Sequence, residues 1–422
     1  MQLAQFRSLQ QLPVEHQIIA ALLRADVSGI ESVLRNVRGN ARAAVLSRLR
    51  SIVRHEGFAG RIMRLSANLP LDDLVQMASL EAATYQRMDE EFKRLVHRFE
   101  RAHLPVVWLK GTSLSRTLYE VPYERASSDF DILARSADVA AVCGVLAEAG
   151  YDQILDSPAF CPQLGVGPIA PLEALLAQPS DEATACGVLA FNKQGSAIVE
   201  VKVDPLERGL KMKEAERFFR DTVTVQWDEV EFRAPSTIDH VLLLFAHLHK
   251  DGFAGWRNLL DLYVLLPELG KAERHELLRR IDVEAMHSSA FASLALLHDW
   301  LGLDAAAELL DAMRFPRDAW SKLLLYTVPV QFVWNSTNLF FLFLNAQVHG
   351  DSERKRAFLH KLKSPTDSFM RTYYGNSVFP PLLLHQLVLL LPAGVVRRTF
   401  GKMIKAWSPS AQGAHPVCHP TN

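Results

Sequence analysis

Apolar residues recur at three- and four-residue spacing through the first hundred positions, as in Ile18, Leu22 and Leu23, in Val33, Val37 and Val45, and in Leu74, Met77 and Leu80. That period lines them up along one side of a helix, so residues 1–100 are expected to be a helical region. The period changes at Leu104. Residues 104–109 (LPVVWL) form a short, apolar, β-branched run that reads as a buried strand, and Gly111, Thr112 and Ser113 then open a helix. Residues 128–133 (SDFDIL) alternate polar with apolar, a second strand. Residues 138–150 form an amphipathic helix with Val142, Val145, Leu146 and Ala149 on one face and Gly150 as its stop. Residues 152–195 mix prolines and glycines with no strong period and read as an insertion that covers a site. Alternation returns in residues 196–204, with Val199, Val201 and Val203 on one face and Glu200, Lys202 and Asp204 on the other. Residues 227–235 form a weaker strand candidate. From Ser236, a good N-cap, the helical period runs almost to the end.

This order of elements predicts an α+β fold, a small mixed sheet with helices, flanked by helical regions. The expected divisions are an N-terminal helical region (1–100), an α/β core (101–235, with 152–195 as the insertion) and a C-terminal helical domain (236–422). A chain of 422 residues has room for two or three such units.

Charge and cysteine content narrow the function. Lys and Arg number 46 against 47 Asp and Glu, a formal charge of -1, whereas proteins that hold long nucleic acid need an excess of cations to displace phosphate counterions. The ten arginines between Arg7 and Arg64 make that arm locally basic, which is expected to be mainly a solvated helix face. Cys143, Cys161, Cys186 and Cys418 lie far apart with no CxxC pair, and His247 and His249, two apart on a helix, point away from each other, so no zinc site is expected. Widely spaced cysteines and the lack of a basic start before an apolar run suggest a reduced, cytoplasmic chain. Two apolar stretches, 323–343 and 378–396, are interrupted by polar residues and prolines, so buried core helices are expected there. Arg397, Arg398, Lys402 and Lys405 after the second leave contact with an anionic membrane surface as the lesser alternative.

The chemistry is concentrated between Lys110 and Asp204. Period two puts Asp129 and Asp131 on one face of their strand, with Phe130 and Ile132 turned to the core. If the Glu200 strand pairs nearby, a third carboxylate joins them and the set suits a hard divalent cation: Mg2+, with Mn2+ as an alternative. Two ions would divide the work, one activating an attacking hydroxyl and the other stabilising a leaving pyrophosphate. A phosphate could sit where the chain leaves a strand at Gly111 and enters a helix, against the amides of Thr112 and Ser113, with Lys110 and Arg125 as counter-charges. Further along, His247 and Arg257 could face a nucleotide. The structural alternative has Arg257 pairing with Asp261 one turn on, to fix helix packing, and His247 hydrogen-bonding within the helices.

The segment LKGTSLSRTLYEVPYERASSDFDIL resembles the signature of polymerase-beta-type nucleotidyltransferases: a Gly-Ser helix opening, a DxD strand and a third acid on a later strand. More narrowly, Lys110-Gly111, Leu118-Tyr119, Arg125, residues 129–133, Gly150-Tyr151, His247, Arg257 and Asp261 resemble the bacterial family of uncharacterised nucleotidyltransferases. The resemblance implies metal-dependent attack on the α-phosphate of a nucleoside triphosphate such as ATP. Asp129, Asp131 and Glu200 would be the metal and catalytic acids, Lys110, Gly111, Thr112, Ser113, Arg125 and Lys202 would touch phosphate, and His247, Arg257 and Asp261 would support them from behind. Two positions depart from the pattern. Thr112 follows Gly111, with serine one place later, and Glu200-Val201-Lys202 stands where relatives read Asp-x-His. A protonated lysine cannot ligate a metal, which leaves Lys202 to neutralise phosphate or the carboxylates.

The expected reaction moves a nucleoside monophosphate to an unidentified small-molecule or protein acceptor and releases pyrophosphate. The alternatives are a degenerate member that binds nucleotide or a partner without chemistry, and a helical scaffold at a membrane surface.

Overall fold

The computed structural model describes residues 9–313, apart from 38, 58, 66–71, 126, 128, 154–187, 207–211, 251–252 and 254. The apolar stretches 323–343 and 378–396, the basic residues after them and the middle of the expected insertion lie outside the described residues. Among the described residues no helix is long and apolar enough to cross a membrane.

The expected α+β architecture is present. Among the described residues the first α-helices are α1 (Val14–Leu23), α2 (Val27–Arg35), α3 (Asn40–Glu56), α4 (Ala59–Leu65) and the long α5 (Asp72–Arg101). The mixed unit follows as β1 (Val107–Trp108), α6 (Lys110–Thr117), β2 (Asp129–Leu133), α7 (Val139–Glu148), β3 (Asp152–Gln153), β4 (Val188–Asn192) and β5 (Ile198–Lys202). After a short helix α8 (Arg217–Arg220) come β6 (Val223–Trp227) and β7 (Val230–Ala234), then helices α9 (Thr237–Lys250), α10 (Trp256–Glu268), α11 (Lys271–Val283), α12 (His287–Leu301) and α13 (Asp304–Ala312).

The five strands β1 to β5 form one sheet in the order β1-β2-β5-β4-β3. The central pair β2 and β5 runs parallel and the other pairings are antiparallel, so the sheet is mixed as expected. Its two faces bury different chemistry. Phe130 and Ile132 of β2 and Val199 and Val201 of β5 pack against Phe92, Leu95 and Phe99 of α5 and Val142 and Leu146 of α7, forming one apolar core. Phe92 anchors it by edge-on ring contacts with Trp108 and Phe232, an arrangement aromatic rings prefer. The opposite face carries Asp129, Asp131, Glu200 and Lys202. Beyond it lies a second core in which Ile18, Leu22 and Leu49 of the first helices meet Leu242, Phe245, Leu260 and Leu296 of the later ones.

Three details differ from the sequence reading. Leu80 is 70% exposed, because α5 turns Phe92, Leu95, Val96 and Phe99 to the sheet instead of the side that carries Leu80. Residues 227–235 are not one strand but the turn and second arm of a hairpin whose first arm is β6. Asp228, in the left-handed region at φ 48°, makes the reversal. Two short strands, β3 and β4, lie at the two ends of the expected insertion and extend the sheet.

Candidate active site

The site is built where β1 passes into α6. The amide of Leu109 donates to the Asp131 carbonyl at 2.8 Å, which locks the junction to β2. Lys110 then takes φ 39°, a conformation rare for a residue with a Cβ. From this backbone its ammonium reaches His247 Nδ1 at 3.0 Å and Asp131 Oδ2 at 3.5 Å. His247 thus meets the α/β unit directly, through Lys110.

Asp131 and Glu200 are register partners on the parallel strands β2 and β5, with Asp129 one pleat away on the same face. Each of the three offers a carboxylate oxygen, and these oxygens lie within 4.8 Å of one another. Ligands of an octahedral magnesium ion stand about 3 Å apart when adjacent and about 4.2 Å apart when opposed, so modest side-chain rotations that draw these oxygens together bring all three acids onto one ion. The donor set is all oxygen and anionic, with Asp131 buried and Asp129 and Glu200 half-buried, which gives an ion a protein floor and an open side. These residues fit a hard divalent cation.

Lys202 departs most from the pattern on which the site was expected. Alternation put it beside Glu200 on a charged face. The structure buries it completely and sets its ammonium 2.6 Å from Asp131 Oδ1 and 3.1 Å from Glu200 Oε2. An uncompensated buried ammonium costs several kcal/mol, and two carboxylates at contact distance supply the compensation. Asp204, the next residue on that face, instead receives the amides of Leu206 and Met212 in the following loop.

The expected phosphate cradle is tightly packed. The Thr112 hydroxyl donates to the Asp129 carbonyl at 3.3 Å. Ser113 is fully buried, and its hydroxyl has no hydrogen-bond partner among the described residues. Gly111 is required by close approach: a Cβ there would lie 2.5 Å from both Arg125 Nη1 and Ser127 Oγ. Ser127, which sequence reasoning missed, holds its hydroxyl 3.0 Å from both the carbonyl and Oδ1 of Asp129. The only signal for it was a serine two places before the first aspartate.

Arg125 and Asp261 form a buried, two-pronged ion pair, with Nη2 to Oδ2 at 2.9 Å and Nε to Oδ2 at 3.1 Å. Tyr119 donates its hydroxyl to Asp261 Oδ1 at 2.8 Å. Burial, and then the neighbouring Asp261 charge, pushes the Tyr119 phenol well above its ordinary range, so it stays a donor. The pairing of Arg257 with Asp261 considered in the sequence is therefore not formed. Asp261 is saturated by Arg125 and Tyr119, and Arg257 instead donates to the carbonyls of Glu56 and His55 at 2.6 and 2.8 Å and its amide to the Glu56 carboxylate. The turn before β2 is also held from the other side, since Glu124 accepts from Arg61 at 3.1 Å and Arg64 at 2.9 Å. Both helical regions thus fix the loop that delivers Asp129. His240, buried on α9, is driven down to a pKa of about 3 by burial and by the Arg125 charge, so it is neutral at physiological pH.

A cavity of about 490 Å³ is lined among others by Ser127, Ser196, Tyr85, Glu81, Arg54 and Arg257, and Ser127, which bonds Asp129, links it to the acid cluster. Glu81 is pushed up to a pKa of about 7 by burial.

A family model described as "Uncharacterised nucleotidyltransferase" matches residues 45–302, which span the sheet, the acid cluster and the helices behind it. The chain belongs to the uncharacterised nucleotidyltransferase family. The match begins within α3 and ends after α12, so the family unit includes parts of both flanking helical regions and not the sheet alone. Membership makes this nucleotidyltransferase a transferase by class. Searches of curated proteins and of solved structures returned no match.

Proposed function

We propose that this nucleotidyltransferase moves a nucleoside monophosphate from a nucleoside triphosphate to an acceptor hydroxyl or phosphate, releasing pyrophosphate, with divalent-metal assistance from Mg2+ or Mn2+. The observation that carries the reading is the meeting of Asp129, Asp131 and Glu200 within 4.8 Å on two adjacent parallel strands. Three carboxylates with one open side are what a cation needs if triphosphate oxygens are to complete its shell. The bound cation would supply Lewis-acid charge to the reacting phosphate and the departing oxygens.

The protein's own groups then have separable tasks. Ser127 fixes the rotamer of Asp129 through its hydroxyl, and Thr112 ties the start of α6 to the same strand residue. Lys110 places a positive charge on the Asp131 side, and Arg125, anchored by Asp261, keeps Nη1 against Gly111 at the junction proposed for phosphate. His247 positions Lys110. The adjoining cavity is large enough for a base or a compact acceptor, and Arg54 and Arg257 at its wall favour an anionic group on whichever enters. The acceptor is a small molecule or an exposed protein side chain.

Titrating each of the four nucleoside triphosphates with Mg2+ into the full chain by calorimetry, alongside a pyrophosphate assay with candidate acceptors, tests the reading. It requires metal-dependent binding of at least one triphosphate and pyrophosphate release that Asp129→Asn abolishes in a folded protein. The ion pairs of Lys202 with Asp131 and Glu200 favour a second reading, a member that binds nucleotide without turning it over. Triphosphate affinity with no pyrophosphate against any acceptor would select it.

A further inference from the structure

We infer that the Lys202 ammonium is a resident cation that replaces one of the two divalent ions, so that the site takes a single exchangeable metal ion. The inference rests on the reading of Asp129, Asp131 and Glu200 as a divalent-cation centre. Lys202 Nζ is fully buried and bridges Asp131 Oδ1 at 2.6 Å and Glu200 Oε2 at 3.1 Å. A cation in contact with two of the three acids occupies ground that a second metal ion would need. The two oxygens it touches are already committed to a charge that cannot diffuse away.

Formal charge leads to the same count. Three bare carboxylates carry -3, and two divalent ions bring such a centre to +1 before a triphosphate arrives. Here Lys202 and Lys110, whose ammonium lies 3.5 Å from Asp131 Oδ2, bring the same three acids to -1. One divalent ion then reaches +1, and a second would raise it to +3 inside a largely buried cluster, where like charges repel most strongly. The position left for an exchangeable ion is on the Asp129 side. That carboxylate is half-buried and is oriented by the Ser127 hydroxyl, and Ser127 lines the cavity.

The geometry also separates the tasks of the two cations. An ammonium offers charge and hydrogen bonds but no coordination site, so it can hold Asp131 and Glu200 in place and balance developing charge without binding a water or a phosphate oxygen as a metal does. Lys202 is therefore a positioning and charge-balancing residue, and the exchangeable ion does the coordination.

The test counts ions directly. Mn2+ is added to the full chain, alone and with the α,β-methylene analogues of the four nucleoside triphosphates, and bound manganese is followed by electron paramagnetic resonance and equilibrium dialysis. The expected wild-type result is one protein-bound Mn2+ per chain with the spectrum of an isolated ion. Lys202→Met, which keeps an unbranched side chain one atom shorter and removes its charge, should admit a second ion. Two ions about 3.5–4 Å apart would then give a spin-coupled spectrum. A coupled pair in the wild type overturns the inference and leaves the metal-centre reading standing. So does a folded Lys202→Met protein that still holds one ion. Absence of bound Mn2+ in both proteins removes the metal centre itself. Should Lys202→Met not fold, the wild-type count decides alone.

Discussion

Asp131 and Glu200 face each other at the same register of two parallel strands, and the ammonium of Lys202 is bonded to both. A strand contributes one side chain per face every second residue, so Glu200 and Lys202 project from the same side of β5 toward Asp131. An acid and a base two places apart on one strand thus address the same partner. The acid adds to the cation-binding set while the lysine limits its negative charge.

Asp129 and Asp131 should separate catalysis from stability. Asp129→Asn removes a half-buried carboxylate that accepts from the Ser127 hydroxyl, and is expected to lower turnover by roughly three orders of magnitude with little change in thermal midpoint. Asp131→Asn is expected to lower turnover as much and also to destabilise the fold by about 2–4 kcal/mol, because it takes a charge partner from the fully buried Lys202. Pyrophosphate release and urea unfolding on the same preparations check both halves.

Gly111→Ala tests the close approach at the start of α6. The added methyl would meet Arg125 Nη1 and Ser127 Oγ at 2.5 Å, so Ser127 must leave Asp129 or the helix must shift. The expected result is a loss of roughly 10- to 100-fold in metal affinity, as for other groups that orient a metal ligand, with about 1–3 kcal/mol of destabilisation from overpacking. Ser127→Ala should reproduce the affinity loss without the stability loss. Calorimetry with Mn2+ checks the shared affinity loss, and urea unfolding distinguishes the two variants.

The Arg125–Asp261 pair is a structural anchor, and its two halves are not equivalent when removed. Arg125→Met leaves a fully buried carboxylate with only Tyr119 as donor, and should cost about 3–5 kcal/mol. The double variant Arg125→Met with Asp261→Leu should recover part of that loss, because no buried charge is then left alone. Urea midpoints of the two single variants and the double variant measure the coupling.

His240 gives a pH signature. Its folded pKa of about 3 lies below the ordinary 6.5, so between those values the unfolded chain binds a proton that the folded chain refuses. Its contribution to stability is full above pH 6.5 and is lost as pH falls, with a slope of up to about 1.4 kcal/mol per pH unit. Between pH 6.5 and 5 the wild type should lose about 1.6 kcal/mol more than His240→Gln. Parallel pH profiles for the two proteins would show that His240 is not held neutral by the fold.

Much of this site was legible because local periodicity fixes which side of a strand a residue occupies. The alternation in residues 128–133 and 196–204 put Asp129, Asp131 and Glu200 on coherent faces, and the strand-to-helix change at Gly111 marked the junction beside them. Pairing is a different matter, since nothing local states that β5 lies beside β2 or that Asp131 meets Glu200. Alternation also cannot tell a wet charged face from a buried one, so the sequence left Lys202 between phosphate, solvent and the carboxylates, and the structure seals it between two acids. Arg125 and Asp261 are 136 positions apart, and the tempting one-turn partner, Arg257, competed for the same carboxylate on paper. The β6–β7 hairpin was half-visible because Asp228 reverses the chain inside the run that looked like one strand.

Metal-dependent nucleotidyl transfer at the Asp129, Asp131 and Glu200 cluster can be followed in one reaction. Its most direct test is incubation of the full chain with each α-32P-labelled nucleoside triphosphate, Mg2+ or Mn2+ and a host lysate, following label on acceptor and pyrophosphate released. The expected result is label transfer from at least one triphosphate, lost on chelation and lost in folded Asp131→Asn. Transfer that continues undiminished in Asp131→Asn, or that ignores chelation, would contradict it.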